Sequence, residues 1–240
     1  MEPEDVPPKE GDSLLNEINS DDLGYYIISG QRHFEKGEYD AAIKFYSEAI
    51  RLDPNEALLY GWRGEAYDKK GQYDAAIEDF SQAIRLDPDD AFYFAARGNA
   101  LCQKDQCDAA IKDFNEAVRL DPNYAWAYKK RGEAYLRMKQ YDAAIKDLNE
   151  AIRLDPNNAL AYAERGQVYL AEGKYEAVIK EFSEAIRLDP NNAVFYGIRG
   201  KVYSELGKKN QAVQDLEKAL SLDSDIEWAR EELEEINHES

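Results

Sequence analysis

The sequence predicts an all-α solenoid, a line of antiparallel helix hairpins, on three observations. Asp-Pro pairs recur at Asp53-Pro54, Asp87-Pro88, Asp121-Pro122, Asp155-Pro156 and Asp189-Pro190, 34 residues apart each time, and a fixed period in this range marks stacked repeats rather than one closed core. Within one period, Ala125 to Asn158, apolar residues fall at helical spacing in two runs: Trp126, Tyr128 and Tyr135, then Ala144, Ile145, Leu148, Ala151 and Ile152. Each second run is closed by the proline, which lacks an amide donor and disfavours helix in the residue before it.

The chain opens on residues 1–22, where Pro, Gly, Ser and acids dominate. Such a composition buries too little apolar area to offset chain entropy, so a mostly disordered acidic tail is expected there. Leu14, Leu15 and Ile18 form its apolar patch, suited either to packing on the first repeat or to lying in a groove of another molecule.

Six blocks follow, 23–56, 57–90, 91–124, 125–158, 159–192 and 193–226, each read as helix, turn and helix. Asp40, Asp74, Asp108, Asp142 and Asn210 stand where they are expected to cap the second helix by accepting bonds from free backbone amides. The last block carries Ser224 in place of proline, and residues 227–240 continue as an acidic segment with an apolar stripe of Trp228, Ala229, Leu233 and Ile236.

The spacing of Tyr128, Gly132, Tyr135, Ala144, Leu148, Ala151 and Pro156 resembles the tetratricopeptide repeat, with aromatic, Gly, Tyr, Ala, aromatic, Ala and Pro at positions 4, 8, 11, 20, 24, 27 and 32 of 34. The resemblance covers Leu23 to Ile226 in six repeats, and the last segment resembles the capping helix of that family. The pattern has a physical reason. Gly132 opposite Ala144 and Ala151 lets two helices approach, while Tyr128, Tyr135 and Leu148 fill space between one hairpin and the next.

Departures from the pattern come in pairs. Position 7 is Arg63, Arg97, Arg131, Arg165 and Arg199 in repeats two to six, and position 23 is Asp79, Asp113, Asp147, Glu181 and Asp215. In the first repeat both change together, to Ser29 and Phe45. Joint loss predicts bridges between the two helices of a hairpin; the alternative is an arginine ladder for an acidic ligand.

Composition narrows function. A net charge of −19 opposes phosphate-driven nucleic-acid binding. No apolar run approaches the ~18 residues that span a bilayer, so no membrane role is expected. The first residues, MEPEDVPPKEGD, lack the basic start and apolar core of a secretory signal, which predicts a cytoplasmic protein. Cys102 and Cys107 are too few for a disulfide framework and, with only His33 and His238 elsewhere, too few for a metal site; free thiols filling space are expected. No phosphate loop, dinucleotide fingerprint or zinc-protease motif occurs, so neither an enzyme nor a cofactor is expected.

The resemblance implies a right-handed superhelix whose concave face is lined by the first helices, chiefly at positions 2, 5, 6, 9, 12 and 13. There the repeats differ, and the candidate peptide-binding residues are Ile27, Gln31, Trp62, Glu65, Phe92, Asn99, Trp126, Lys129, Lys130, Glu133, Leu160 and Gln167. Trp62, Phe92 and Trp126 are suited to anchor apolar residues of a ligand, with Gly61, Ala95, Ala96 and Ala163 leaving room beside them; alternatively these rings only seal the joints between helices. Lys129, Lys130, Arg137 and Lys139 gather in the fourth repeat and are suited to one acidic group of a peptide. The chaperone-tail clamp of one subset of the family, built from Lys, Asn and Arg at set positions, is present only in isolated pieces such as Asn99. The expected function is a non-enzymatic adaptor that binds a peptide or helix of a partner protein. The rival is a spacer or self-associating scaffold, joined through its terminal segments into a homo-oligomer.

Overall fold

The computed structural model describes residues 20–238. Among them every regular element is a helix, thirteen in all, and they fall into two compact units divided between Asp89 and Asp90. The first unit holds α1 (Ser20–Glu35), α2 (Tyr39–Leu52), α3 (Ala57–Lys69) and α4 (Tyr73–Leu86). The second holds α5 (Ala91–Gln103), α6 (Cys107–Leu120), α7 (Ala125–Arg137), α8 (Tyr141–Leu154), α9 (Ala159–Ala171), α10 (Tyr175–Leu188), α11 (Ala193–Glu205), α12 (Lys209–Leu222) and α13 (Glu227–His238). Within each unit an odd-numbered helix pairs with the next even one, and that second helix packs on the first helix of the following hairpin.

Helix α1 begins at Ser20, three residues ahead of the expected start of the first repeat at Leu23. The rest of the acidic tail, with Leu14, Leu15 and Ile18, lies outside the described residues.

The expected caps are corrected. The second helices start at Tyr39, Tyr73, Cys107, Tyr141 and Lys209, so Asp40, Asp74, Asp108, Asp142 and Asn210 lie inside the first turn, and no side chain caps these helices. The four acids there still favour the helix through its dipole. Side-chain caps belong to the first helices instead: Glu56 accepts from the Leu58 amide, Asp90 from Phe92 at 2.8 Å, Asn158 from Ala161 and Asn192 from Val194. The Asp of each Asp-Pro pair also accepts from the amide two residues on, as Asp121 does from Asn123 at 2.9 Å. That turn persists at Asp223 to Asp225, 3.0 Å, where Ser224 replaces proline.

The hairpins close on glycine. A Cβ on Gly132 would stand 2.8 Å from Leu148 Cγ and 3.3 Å from the Ala144 carbonyl oxygen, so only glycine admits this crossing. Leu148 therefore fills space inside its own hairpin, and it also packs with Val168 of the next.

Beside each crossing runs the paired charge. Arg63 donates to Asp79 from Nε and Nη2, both at 2.8 Å, and Arg97, Arg131 and Arg199 bind Asp113, Asp147 and Asp215 in the same two-pronged way. Arg165 places both donors on one oxygen of Glu181. A third donor, Nη1, reaches back to the preceding hairpin: Arg63 to Ser47, Arg131 to Asn115, Arg165 to Asn149 and Arg199 to Ser183. Each guanidinium also lies over the ring four positions into its repeat, as Arg131 lies 5.4 Å from the Tyr128 centroid. In the first repeat Phe45 takes the carboxylate's place and stacks on His33 at 5.1 Å.

The second unit ends on α13, whose Ala229 and Ile236 are buried against Leu216 and Ala212. The Trp228 ring lies on Gly197, where a Cβ would come within 2.5 Å of it, so its role is packing.

Candidate protein-binding surfaces

Every first helix of the six hairpins is held by a glycine crossing, those from α3 on also by an arginine bridge, and α3, α5, α9 and α11 by a side-chain cap as well, which leaves the remaining face free to vary. In the first unit that face brings three of the expected residues together. Trp62 packs on buried Tyr46, ring centroids 5.9 Å apart and tilted by 34°. Beside this pair opens a cavity of about 310 Å³ lined by Gln31, Phe34, Glu35, Tyr46, Trp62 and Glu65. Burial pushes the Glu65 carboxyl above its ordinary range, and the pull of Lys69 does not cancel it. The Tyr46 hydroxyl is pushed up to about 12, by burial first and then by the charges of Glu65 and Glu35. Ile27 is half-buried, while Ile28 and Leu58 are exposed. Sequence reasoning missed Phe34, Glu35 and Tyr46 as lining; the signal available was that Phe34 and Glu35 occupy positions 12 and 13 of their repeat.

In the second unit Phe92 meets buried Tyr93 edge-on at 5.7 Å, and Trp126 stacks on Tyr124 at 5.9 Å. Trp126 packs against the cluster that contains Ala95. The small residues do not leave open room. Gly61, Ala95, Ala96 and Ala163 are all buried.

The basic cluster of the fourth repeat is also different from its expected form. Lys129 is buried, and its ammonium donates to Glu164 of the next repeat at 2.9 Å. Lys130 and Arg137 both bind Glu133, at 2.9 and 3.2 Å, and Arg137 donates again to the Cys102 carbonyl at 2.9 Å. Lys139 lies apart, in the turn between α7 and α8, with a positive φ of 58°. Three cations against two carboxylates leave one unit of positive charge rather than three. Burial pushes Glu164 up despite Lys129. Burial acts on Glu133 in the same sense, but Lys130, Arg137 and Lys129 outweigh it and hold that carboxyl below the ordinary range. Asn99 of α5 and Gln167 of α9 are half-buried, and Leu160 of α9 and Val194 of α11 are exposed.

Cys102 and Cys107 are free, buried, and 3.8 Å apart at the turn of the third hairpin. Among the described residues no group of His, Cys, Asp and Glu is placed to hold a metal ion, and no helix is long and apolar enough to cross a membrane.

Comparison with known proteins agrees with this construction. Family profiles described as TPR repeat match residues 30–71, 98–139 and 166–207, and profiles described as tetratricopeptide repeat match 57–90, 125–158, 148–180 and 193–226. No curated protein matches the chain by sequence. Among solved structures, MamA is 30% identical, with 67% of this chain and 94% of that one covered and a TM-score of 0.60. PilW, a widely conserved type IV pilus biogenesis factor, is 20% identical over 91% of this chain and 99% of its own, with a TM-score of 0.80. YrrB, a TPR protein with an unusual peptide-binding site, is 21% identical over 78% and 96%, with a TM-score of 0.60. The repeat period, the glycine crossings and these matches lead to one conclusion: the chain belongs to the tetratricopeptide repeat family.

Proposed function

We propose that this chain is a non-enzymatic interaction module that holds a segment of a partner protein against the faces of its first helices. The observation that carries the reading is apolar exposure where the repeats differ. Leu58, Leu160 and Val194, each at the second position of a first helix, are 46%, 53% and 47% exposed, while the residues that close the hairpins are buried. Trp62, Phe92 and Trp126 each keep part of their surface open, and rings of this kind supply the anchors that dominate peptide grooves. In the first unit Gln31 and Glu65 line the cavity beside Trp62 and Ile27 adds apolar surface in this reading; in the second, Asn99, Lys130, Glu133 and Gln167 supply its polar contacts, and Lys129 acts by fixing Glu164. The acidic chain is unsuited to nucleic acid, and a cytoplasmic site of action belongs to this proposal.

Affinity capture from a cell extract, with the parent and with Trp126→Ala/Leu160→Glu as bait, tests it. The expected result is a discrete set of captured proteins that the variant loses while circular dichroism shows its helical fold kept. Capture indifferent to the variant would overturn the reading.

A second reading, self-association through the ends, is favoured by Tyr25. Its repeat position is buried in Leu59, Ala127, Ala161 and Phe195, whereas Tyr25 is 59% exposed. Light scattering on the full chain, on Tyr25→Glu and on a version lacking residues 227–240 separates the two: a mass above that of the monomer that falls in either variant supports self-association.

A further inference from the structure

We infer that the cavity formed by α1, α2 and α3 receives a positively charged side chain, an arginine or lysine, carried on the partner segment. The inference rests on the protein-binding reading and names the chemistry that one part of the surface selects.

The lining is one-sided in charge. Glu35 and Glu65 contribute two carboxylates, Phe34, Tyr46 and Trp62 contribute three rings, Gln31 completes the wall, and among the described residues no cation lines it. Aromatic faces attract cations through their quadrupoles, and more strongly when water is displaced. Trp62 keeps part of its surface open to this space and is backed by buried Tyr46, 5.9 Å away and inclined by 34°. A volume of about 310 Å³ lies at the small end of ligand pockets, roughly 300 to 1,000 Å³, and matches one long side chain.

The fourth repeat shows what is missing. There Glu133 occupies the repeat position of Glu65, and Lys130, one turn earlier, neutralises it at 2.9 Å. In the second repeat Trp62 stands where Lys130 does. The cation has been exchanged for an aromatic wall, and the carboxylate has been kept. Lys69 lies one turn beyond Glu65 on α3, is exposed, and does not line the cavity. The upward shift of Glu65 and the joint influence of Glu65 and Glu35 on Tyr46 agree with two carboxylates directed at one partly desolvated space. A guanidinium or ammonium entering from a partner takes the role that Lys130 plays internally.

The test is selection of peptides from a random displayed library on the full chain, followed by affinity measurement with the arginine or lysine of the best peptide replaced by citrulline or norleucine. Selection is expected to enrich a basic residue, and the neutral replacement is expected to weaken binding about tenfold or more. The same replacement should change nothing on Glu35→Gln/Glu65→Gln, and Gln31→Arg should repel the basic peptide. Circular dichroism checks that both variants keep the fold. Selected peptides with no basic requirement, or equal binding of citrulline and arginine, overturn the cation site and leave the wider binding reading intact. Selection of no peptide at all overturns both.

Discussion

Arg131 and Asp147 face each other across the fourth hairpin, Nε to Oδ2 at 2.6 Å and Nη2 to Oδ1 at 2.8 Å, with both side chains largely out of water. Removing one partner strands the other. Asp147→Ala is expected to cost about 3 kcal/mol or more, whereas Arg131→Leu/Asp147→Leu should come close to the parent, since paired apolar residues avoid the desolvation that the bridge must offset. Reversing both charges should recover only part of the loss, because Asn115 and the Tyr128 ring are placed for a guanidinium. Urea midpoints of the single and double variants check the order.

Glycine positions divide by their surroundings. Gly132→Ala forces a methyl against Leu148 and the Ala144 carbonyl oxygen and is expected to lower stability by about 1 to 3 kcal/mol. Leu148→Ala should make that second change cheaper than it is alone. Gly24, in α1, has nothing within 4 Å of a Cβ, so Gly24→Ala should stabilise by roughly 0.5 to 1 kcal/mol. Thermal melting of the two alanine variants should move in opposite directions.

Caps separate in the same manner. Asp90→Ala removes an acceptor 2.8 Å from the Phe92 amide and is expected to cost about 1 kcal/mol. Asp142→Ala removes only a charge near the helix start, so its smaller loss should shrink further in high salt. Salt titration of both melting points is the check.

The Cys102 thiol is pushed up to about 12, by burial first and by Cys107 next. The folded chain thus keeps a proton that the unfolded chain gives up near pH 9. The associated stability is fully present below pH 9 and is lost as pH rises toward 12. The urea-midpoint gap between the parent and Cys102→Ala should narrow between pH 8 and pH 11. Iodoacetamide at pH 8 should modify Cys102 at least about a hundredfold more slowly in the native chain than in urea.

The hairpins were legible because their constraints are local and repeated: a period set by Asp-Pro, small residues at the crossing and an arginine matched to an acid 16 residues on. The division between Asp89 and Asp90 was not, since the junction Pro88, Asp89, Asp90 reads like Pro156, Asn157, Asn158. Helix starts were misplaced by two residues, enough to turn expected caps into first-turn residues. At the candidate surface, Gln31, Trp62 and Glu65 line one cavity. The burial of Lys129 depends on Glu164, 35 residues away, and no periodicity within a single helix reports a partner at that distance.

The backward reach of Nη1 gives the array a direction. Arg63, Arg131, Arg165 and Arg199 each lean on a side chain of the repeat before them, and the first repeat, with Ser29, makes no such demand. Removing the repeats after residue 158 leaves Arg63 and Arg131 with all three of these bonds; removing those before residue 159 strips Arg165 of Asn149. Shortening from the two ends is therefore not equivalent, and a graft of these repeats into another protein should carry its predecessor's second helix with it.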